Sequence, residues 1–325
     1  MSFTRQDKGK ITCLLCPKVC SIDDGCHGDC GVRFNRHGVL DLPFYGRVSA
    51  LNIDPMEKKP LYHFFPGTLV FSVGFYGCSF HCPFCQNFSI SQYEPESPAN
   101  QYVSPEDLIK LVRKNKLSSV AFTYSEPLVH YEYVHKAFIR ARENNIKTIL
   151  VTNGYINKKP ARELLAVTDA LNIDLKAFTE TFYKNELGGT LKPVLDFITE
   201  AASKSHVEIT TLVIPHKNDS SSEIKEIARF IASIDKTIPL HLSAYYPAFH
   251  YTAQATTEET IRRLTDCAQE YLTYVYPGNT VSLDNNTYCT DCGSVLVKRQ
   301  GYKISTEGID GTVCSTCGSS VPFLL

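Results

Sequence analysis

Three groups of cysteine carry most of the chemistry open to this sequence. Cys78, Cys82 and Cys85 stand at C-x3-C-x2-C spacing in CSFHCPFC, directly after the apolar and β-branched run LVFSVGFY (69–76), which reads as a buried strand. Three thiolates on one tight loop can hold one compact metal centre. A mononuclear zinc ion normally takes four ligands, and no fourth cysteine follows at local spacing, so His81 or His63 would have to complete such a site. A [4Fe–4S] cluster usually takes four cysteines as well; held by three, it keeps one iron for a ligand that is not protein.

The other two groups lie near the ends of the chain. Cys13-x2-Cys16-Pro-x2-Cys20 is followed by Cys26 and Cys30 in a Gly/Asp-rich stretch. So short a segment offers little apolar material for a core, so a bound metal is expected to hold it together. Cys13, Cys16, Cys20 and Cys30 form the natural tetrad, with Cys26 and His27 as spares, and spacing leaves zinc and a second iron–sulfur cluster both open. Near the other end, Cys289-Thr-Asp-Cys292-Gly and Cys314-Ser-Thr-Cys317-Gly are two CxxCG knuckles around a hairpin at Gly301. This is a zinc-ribbon or rubredoxin-like pattern, with zinc the leading metal and iron the second. Four thiolates close a coordination shell, so the site is structural or electron-transferring. Cys267 stands alone in a helical pattern and reads as a small core side chain.

Composition agrees with metal chemistry inside a soluble chain. Thirteen cysteines without an apolar leader argue for metal ligation in a reducing, cytoplasmic compartment and against disulfides. No apolar run approaches the ~18 residues of a membrane span. A formal net charge of −1 provides no basic field for nucleic acid.

Strand and helix patterns alternate beyond the central loop. Strands are expected at 119–124, 146–151, 171–175, 207–214 and 238–245, with helices at 108–115, 131–145, 162–167, 224–234 and 258–271. These make about six βα units, fewer than the eight of a full barrel. The expected architecture is a partial (β/α)6 barrel in residues 66–280, with an open doubly wound sheet as the alternative. Residues 1–65 form a Cys-rich metal-binding segment and connector, and 281–325 a separate ribbon. In such barrels the chemistry sits at the C-terminal ends of the strands. Polar residues near those ends include Glu126, Asn153, Asp174, Lys176 and, in the last strand, His241. Taken singly, each has a simpler role: a helix cap, a turn, a surface ion pair, a core histidine.

The central loop resembles the signature of radical S-adenosylmethionine (SAM) enzymes, in which SAM chelates the fourth iron. The resemblance implies that Phe84 packs on the adenine. Thr123-Tyr124-Ser125-Glu126-Pro127 resembles the family's Gly-Gly-Glu-Pro segment, which gives Glu126 the SAM amino group, although Tyr124 and Ser125 replace the glycines. Thr152-Asn153-Gly154 looks like a motif of pyruvate formate-lyase-activating enzymes, but Val151 stands where those enzymes place an Asp. Asp174-Leu175-Lys176 matches that branch's Asp-x-Lys, addressed to the SAM carboxylate, and His241 falls where the branch has a His near the ribose. The order of blocks, with CPFCQN (82–87) and YVYPGN (274–279), is similar to that of radical SAM enzymes of the AmmeMemoRadiSam system. That likeness implies a [4Fe–4S] cluster, SAM, an external electron donor, the partial barrel, and a link to Memo-type and AMMECR-type proteins. It leaves the substrate open, protein or small molecule. The rival readings are a metal-stabilised binding module and a simple iron–sulfur electron carrier.

Overall fold

The computed structural model describes residues 3–7, 9–92, 101–321 and 323–325. Its centre is a sheet of eight strands laid side by side in chain order: β1 (Ala50–Pro55), β2 (Leu69–Gly74), β3 (Ser119–Thr123), β4 (Lys147–Thr152), β5 (Ala170–Asp174), β6 (His206–Val213), β7 (Leu240–Ala244) and β8 (Val275–Gly278). From β2 to β8 all neighbours are parallel, while β1 runs antiparallel to β2, Ala50 opposite Gly74 and Pro55 opposite Leu69. The edge strands β1 and β8 do not pair with one another among the described residues, so the sheet is open and curved barrel closure is not reached.

Two strands therefore go beyond the sequence expectation. β1 lies in the expected connector, where Leu51 is half-buried and Asn52 and Ile53 are exposed, so no clean apolar alternation marks it. β8 is four residues long and ends in Pro-Gly, a pattern that reads as a turn. The inner strands are legible because all five residues of β3 are buried, as in a parallel sheet covered on both faces.

Six longer helices connect the strands: α1 (Pro105–Lys114), α2 (Tyr131–Glu143), α3 (Lys158–Leu165), α4 (Lys192–Ala202), α5 (Ser221–Ile234) and α6 (Glu258–Gln269). Their starts follow from capping chemistry. The Ser104 hydroxyl accepts from Asp107 N–H at the head of α1, Ser220 from Glu223 at α5, and Thr257 from Thr260 at α6. α4 was not anticipated, although Val194, Phe197, Ile198 and Ala201 form one buried stripe behind Pro193 in the first turn. Cys267 lies in α6 and is half-buried. No described helix is long and apolar enough to cross a membrane.

The two cysteine-rich ends sit at opposite ends of the sheet. The N-terminal segment covers the C-terminal ends of β3 and β4: Phe3 packs edge-on against Tyr131 at the start of α2, with ring centroids 5.0 Å apart, and Leu15 C=O accepts from Asn157 N–H before α3. The C-terminal ribbon docks on the other end. Arg299 donates to the Tyr62 carbonyl at 2.9 Å and lies 4.1 Å over its ring, while Leu324 N–H bonds the His63 carbonyl. Tyr276 of β8 reaches both His63 Nε2 and the Thr287 hydroxyl at 2.7 Å.

Candidate metal centre and its strand-end rim

Gly77 turns the chain from β2 into the central loop. Its φ is +77°, and a Cβ there would stand 2.3 Å from the Cys30 carbonyl oxygen and 2.7 Å from Val32, so only glycine fits. Beyond it, Phe80 N–H donates to Cys78 Sγ at 3.3 Å, and Cys85 Sγ lies 3.1 Å from the Ser91 hydroxyl. Burial pushes the Cys78 thiol well above its ordinary range and Cys82 up to about 12, the latter against the pull of the Lys176 ammonium. Bare, these thiols are protonated; a metal has to displace those protons to bind.

Both imidazoles that could complete a mononuclear zinc site are engaged elsewhere. His81 Nδ1 lies 2.9 Å from the Gln92 amide oxygen, and its Nε2 is 3.1 Å from Asp29. His63 is buried at the far end of the sheet, its ring Nε2 bonded to the Tyr276 hydroxyl and its backbone N–H donating to Glu208. The central loop therefore presents three thiols, and neither imidazole is free to serve as a fourth ligand.

The ends of three strands, β3, β4 and β5, converge on this loop. Glu126, 2 % exposed, follows β3. Its Oε1 accepts from Leu128 N–H (3.0 Å) and the Thr152 hydroxyl (2.6 Å), and its Oε2 from Asn153 N–H (2.8 Å). Its own N–H bonds Gly77 C=O at 3.4 Å. Burial raises its carboxyl to about 7 against those three donors. Asn153, after β4, extends Nδ2 to Cys78 Sγ at 3.7 Å and to the Ser79 hydroxyl at 3.1 Å. At the end of β5, Lys176 Nζ bonds Asp174 at 2.9 Å; burial works against its charge, but the Asp174 carboxylate keeps the ammonium protonated. Phe84 is 3 % exposed, between Phe182 and Tyr251. Glu126, Asn153, Asp174 and Lys176 are thus brought to the thiol loop. The simpler roles coexist there, since Glu126 caps the helical turn at Pro127–His130 and Asp174 pairs with Lys176.

His241 departs from expectation. It is the second residue of β7, at the entry to the strand, where Nε2 bonds Glu208 Oε2 at 2.6 Å and Tyr62 and Tyr276 pack on the ring. It belongs to the polar seam under the ribbon, away from the cysteine loop. The expectation failed because an apolar run does not say where along it the strand begins.

Sequence reasoning also missed how Tyr124 stands in for glycine. Its φ is +73°, a left-handed conformation that costs a bulky residue roughly 1–2 kcal/mol. The hydroxyl bonds Asp54, itself tied to Lys58 and Lys59, and the Lys59 ammonium lies 4.7 Å over the ring. The backbone curve that glycine permits is kept here by side-chain anchoring. Ser79, and the Thr152 hydroxyl's bond to Glu126, were likewise not foreseen; their signal was their place beside Cys78 and Asn153.

In the ribbon, Cys289, Cys292, Cys314 and Cys317 bring their sulfurs within 4.8 Å of one another, with 3.7 Å between Cys289 and Cys317 and between Cys292 and Cys314. Four sulfurs about 2.3 Å from one tetrahedral ion lie about 3.8 Å apart, so this set fits a single zinc or iron ion. The two knuckles have the same backbone, with Gly293 and Gly318 at φ +72° and +75°. Cys13, Cys16, Cys20 and Cys30 line one hollow, which Cys26, exposed, does not join.

Comparison with known proteins agrees with this geometry. A family model described as the radical SAM superfamily matches residues 72–231. An uncharacterised protein of Methanocaldococcus jannaschii is 36% identical over 100% of this chain and 99% of its own length. Pyruvate formate-lyase 1-activating enzyme of Escherichia coli K12 is 27% identical over 51% of this chain and 72% of its own. Among solved structures, Streptococcus suis SuiB bound to S-adenosylmethionine shares the fold with a TM-score of 0.52, at 17% identity, over 63% of this chain and 50% of that one.

Proposed function

From a radical SAM superfamily domain at residues 72–231, with homology to pyruvate formate-lyase-activating enzymes, we propose that Cys78, Cys82 and Cys85 hold a [4Fe–4S] cluster whose remaining iron is left to SAM. When bound, that pair supplies an electron from an external donor to SAM, yielding methionine and a 5′-deoxyadenosyl radical that takes hydrogen from a substrate. The observation that carries this reading is the three-thiol loop, with its imidazole candidates for a fourth ligand engaged elsewhere, beside strand-end Glu126 and Asn153.

The residues of this chain have definable tasks. Asn153 and the Phe80 N–H donate toward Cys78, which favours its thiolate. Lys176 offsets negative charge beside Cys82. Glu126 accepts from the SAM amino group; Asp174 and Lys176 meet its carboxylate end; Phe84 supplies an apolar wall for adenine. His241 has no part in this arrangement.

The likeness to an activating enzyme favours a polypeptide as the hydrogen source. Memo-type and AMMECR-type proteins are the partners that the whole-chain resemblance proposes. The test is anaerobic: the iron-loaded, dithionite-reduced protein should convert SAM to methionine and 5′-deoxyadenosine, and Cys78→Ala should abolish this. A fully iron-loaded protein that forms no 5′-deoxyadenosine would overturn the reading, and would leave the binding-module and electron-carrier alternatives.

A further inference from the structure

The N-terminal tetrad stands differently from the ribbon. Cys13, Cys16, Cys20 and Cys30 surround one hollow closed by Leu15, Ile22 and Val129, and they are near enough to influence one another's charge. Yet, among the described residues, it is the ribbon set whose sulfurs close to within 4.8 Å. The N-terminal cysteines share a hollow without gathering, as the ribbon's do, into a set within 4.8 Å, whereas one tetrahedral zinc ion needs sulfurs about 3.8 Å apart. A polynuclear centre spreads its thiolates farther apart.

The lining suits an anionic centre. Backbone N–H groups face the sulfurs: that of Lys18 faces Cys16, that of Asp29 faces Cys20, and those of Val32 and Arg33 face Cys30. Arg33 lines the hollow at 2 % exposure, held by a two-pronged ion pair with Glu132 at 2.8 Å in each arm. Its Nε–H is buried and has no partner among the described residues. An orphaned guanidinium donor on a wall of thiols is costly unless something negative fills the space between them.

We propose that Cys13, Cys16, Cys20 and Cys30 hold a second, four-cysteine iron–sulfur cluster, with Arg33 donating to it and offsetting its charge. The site shares a wall with the central loop. The Cys30 carbonyl presses on Gly77, one residue before Cys78, and Ser79 both lines the hollow and accepts from Asn153, which also donates to Cys78.

Iron, zinc and acid-labile sulfide analysis of the full-length protein tests this. Cys20→Ser should lose about two to four irons with matching sulfide and keep the wild-type zinc content, whatever that is, while Cys26→Ser should lose nothing. Should Cys20→Ser fail to fold, the triple variant Cys78→Ala/Cys82→Ala/Cys85→Ala serves instead. It should keep an iron–sulfur Mössbauer signature that added SAM does not change. Loss of zinc in place of iron from Cys20→Ser, or a triple variant without iron and sulfide, overturns the proposal. In the triple variant, an iron count equal to wild type would contradict the central site, so the two failures are distinguishable.

Discussion

Glu126→Gln separates the two jobs assigned to one buried carboxylate. The shape is kept and the charge is lost. In the structure two oxygens accept three hydrogen bonds, Oε1 from Leu128 N–H and the Thr152 hydroxyl, Oε2 from Asn153 N–H. An amide has one oxygen. Set at Oε1, it turns its NH2 on Asn153 N–H; set at Oε2, it turns it on Leu128 N–H, and only Thr152 can rotate to adapt. One buried backbone N–H is orphaned in either case, at about 1–3 kcal/mol of stability. Loss of the charge-assisted bond to SAM should weaken binding by about 1.5–3 kcal/mol, or ~10–100-fold. The carboxyl titrates near 7, so affinity should be compared at pH 8, where it is ionised. A linked effect follows in the metal-free protein. The folded state holds this proton to about pH 7 and the unfolded chain only to its ordinary value of 4.5. The stabilisation is therefore complete below 4.5 and lost as pH rises through 7, roughly 3 kcal/mol at about 1.4 kcal/mol per unit. Gln removes that slope. Isothermal SAM titration of the iron-loaded protein and denaturant curves of the metal-free protein across pH measure the two effects. Unchanged affinity at pH 8 with full iron, or a pH slope that survives in the variant, would refute the assignment.

Three further changes probe the frame around that site. Gly77→Ala sets a Cβ against the Cys30 carbonyl at a left-handed φ, so it should lower the melting temperature and reduce iron loading at both the central and N-terminal sites; normal iron content would show that the contact is dispensable. His241→Leu removes a buried donor from Glu208, whose carboxyl is held well below its ordinary range, against the effect of burial, by His206 and His241. It should cost about 3 kcal/mol in a denaturant series while SAM affinity in the folded fraction stays unchanged; a weakened affinity would return His241 to the cofactor rim. Cys292→Ser should release one metal equivalent and open the chain to protease after about Asp284, because metal binding supplies the ribbon's folding free energy. SAM cleavage should fall far less than in Cys78→Ala, since the ribbon docks at the opposite end of the sheet; equal loss in both would place the ribbon in the reaction.

What was legible in the sequence was whatever repeats locally. The inner strands are apolar runs because a parallel sheet is covered on both faces, and the cysteine groups carry their meaning in spacing of two to four residues. Glu126, Asn153, Asp174 and Lys176 could be found because each closes a strand or follows it within a few positions. What was not legible depends on partners far away in the chain. β1 is a strand because β2 offers it an edge, and its exposed Asn52 and Ile53 say nothing of this. Arg33 meets Glu132 and Ser79 meets Asn153 across gaps that no local pattern spans. His241 was misplaced for the same reason, because the phase of an apolar run does not fix which end of the strand a residue occupies.

The most direct test of the central claim is the electron paramagnetic resonance spectrum of the reduced, iron-loaded protein with and without SAM. If Cys78, Cys82 and Cys85 leave one iron to the cofactor, SAM shifts the spectrum in wild type, shifts it at higher concentration in Glu126→Gln, and has no effect in Cys82→Ala. A spectrum that SAM leaves unchanged in fully loaded wild-type protein would contradict the account.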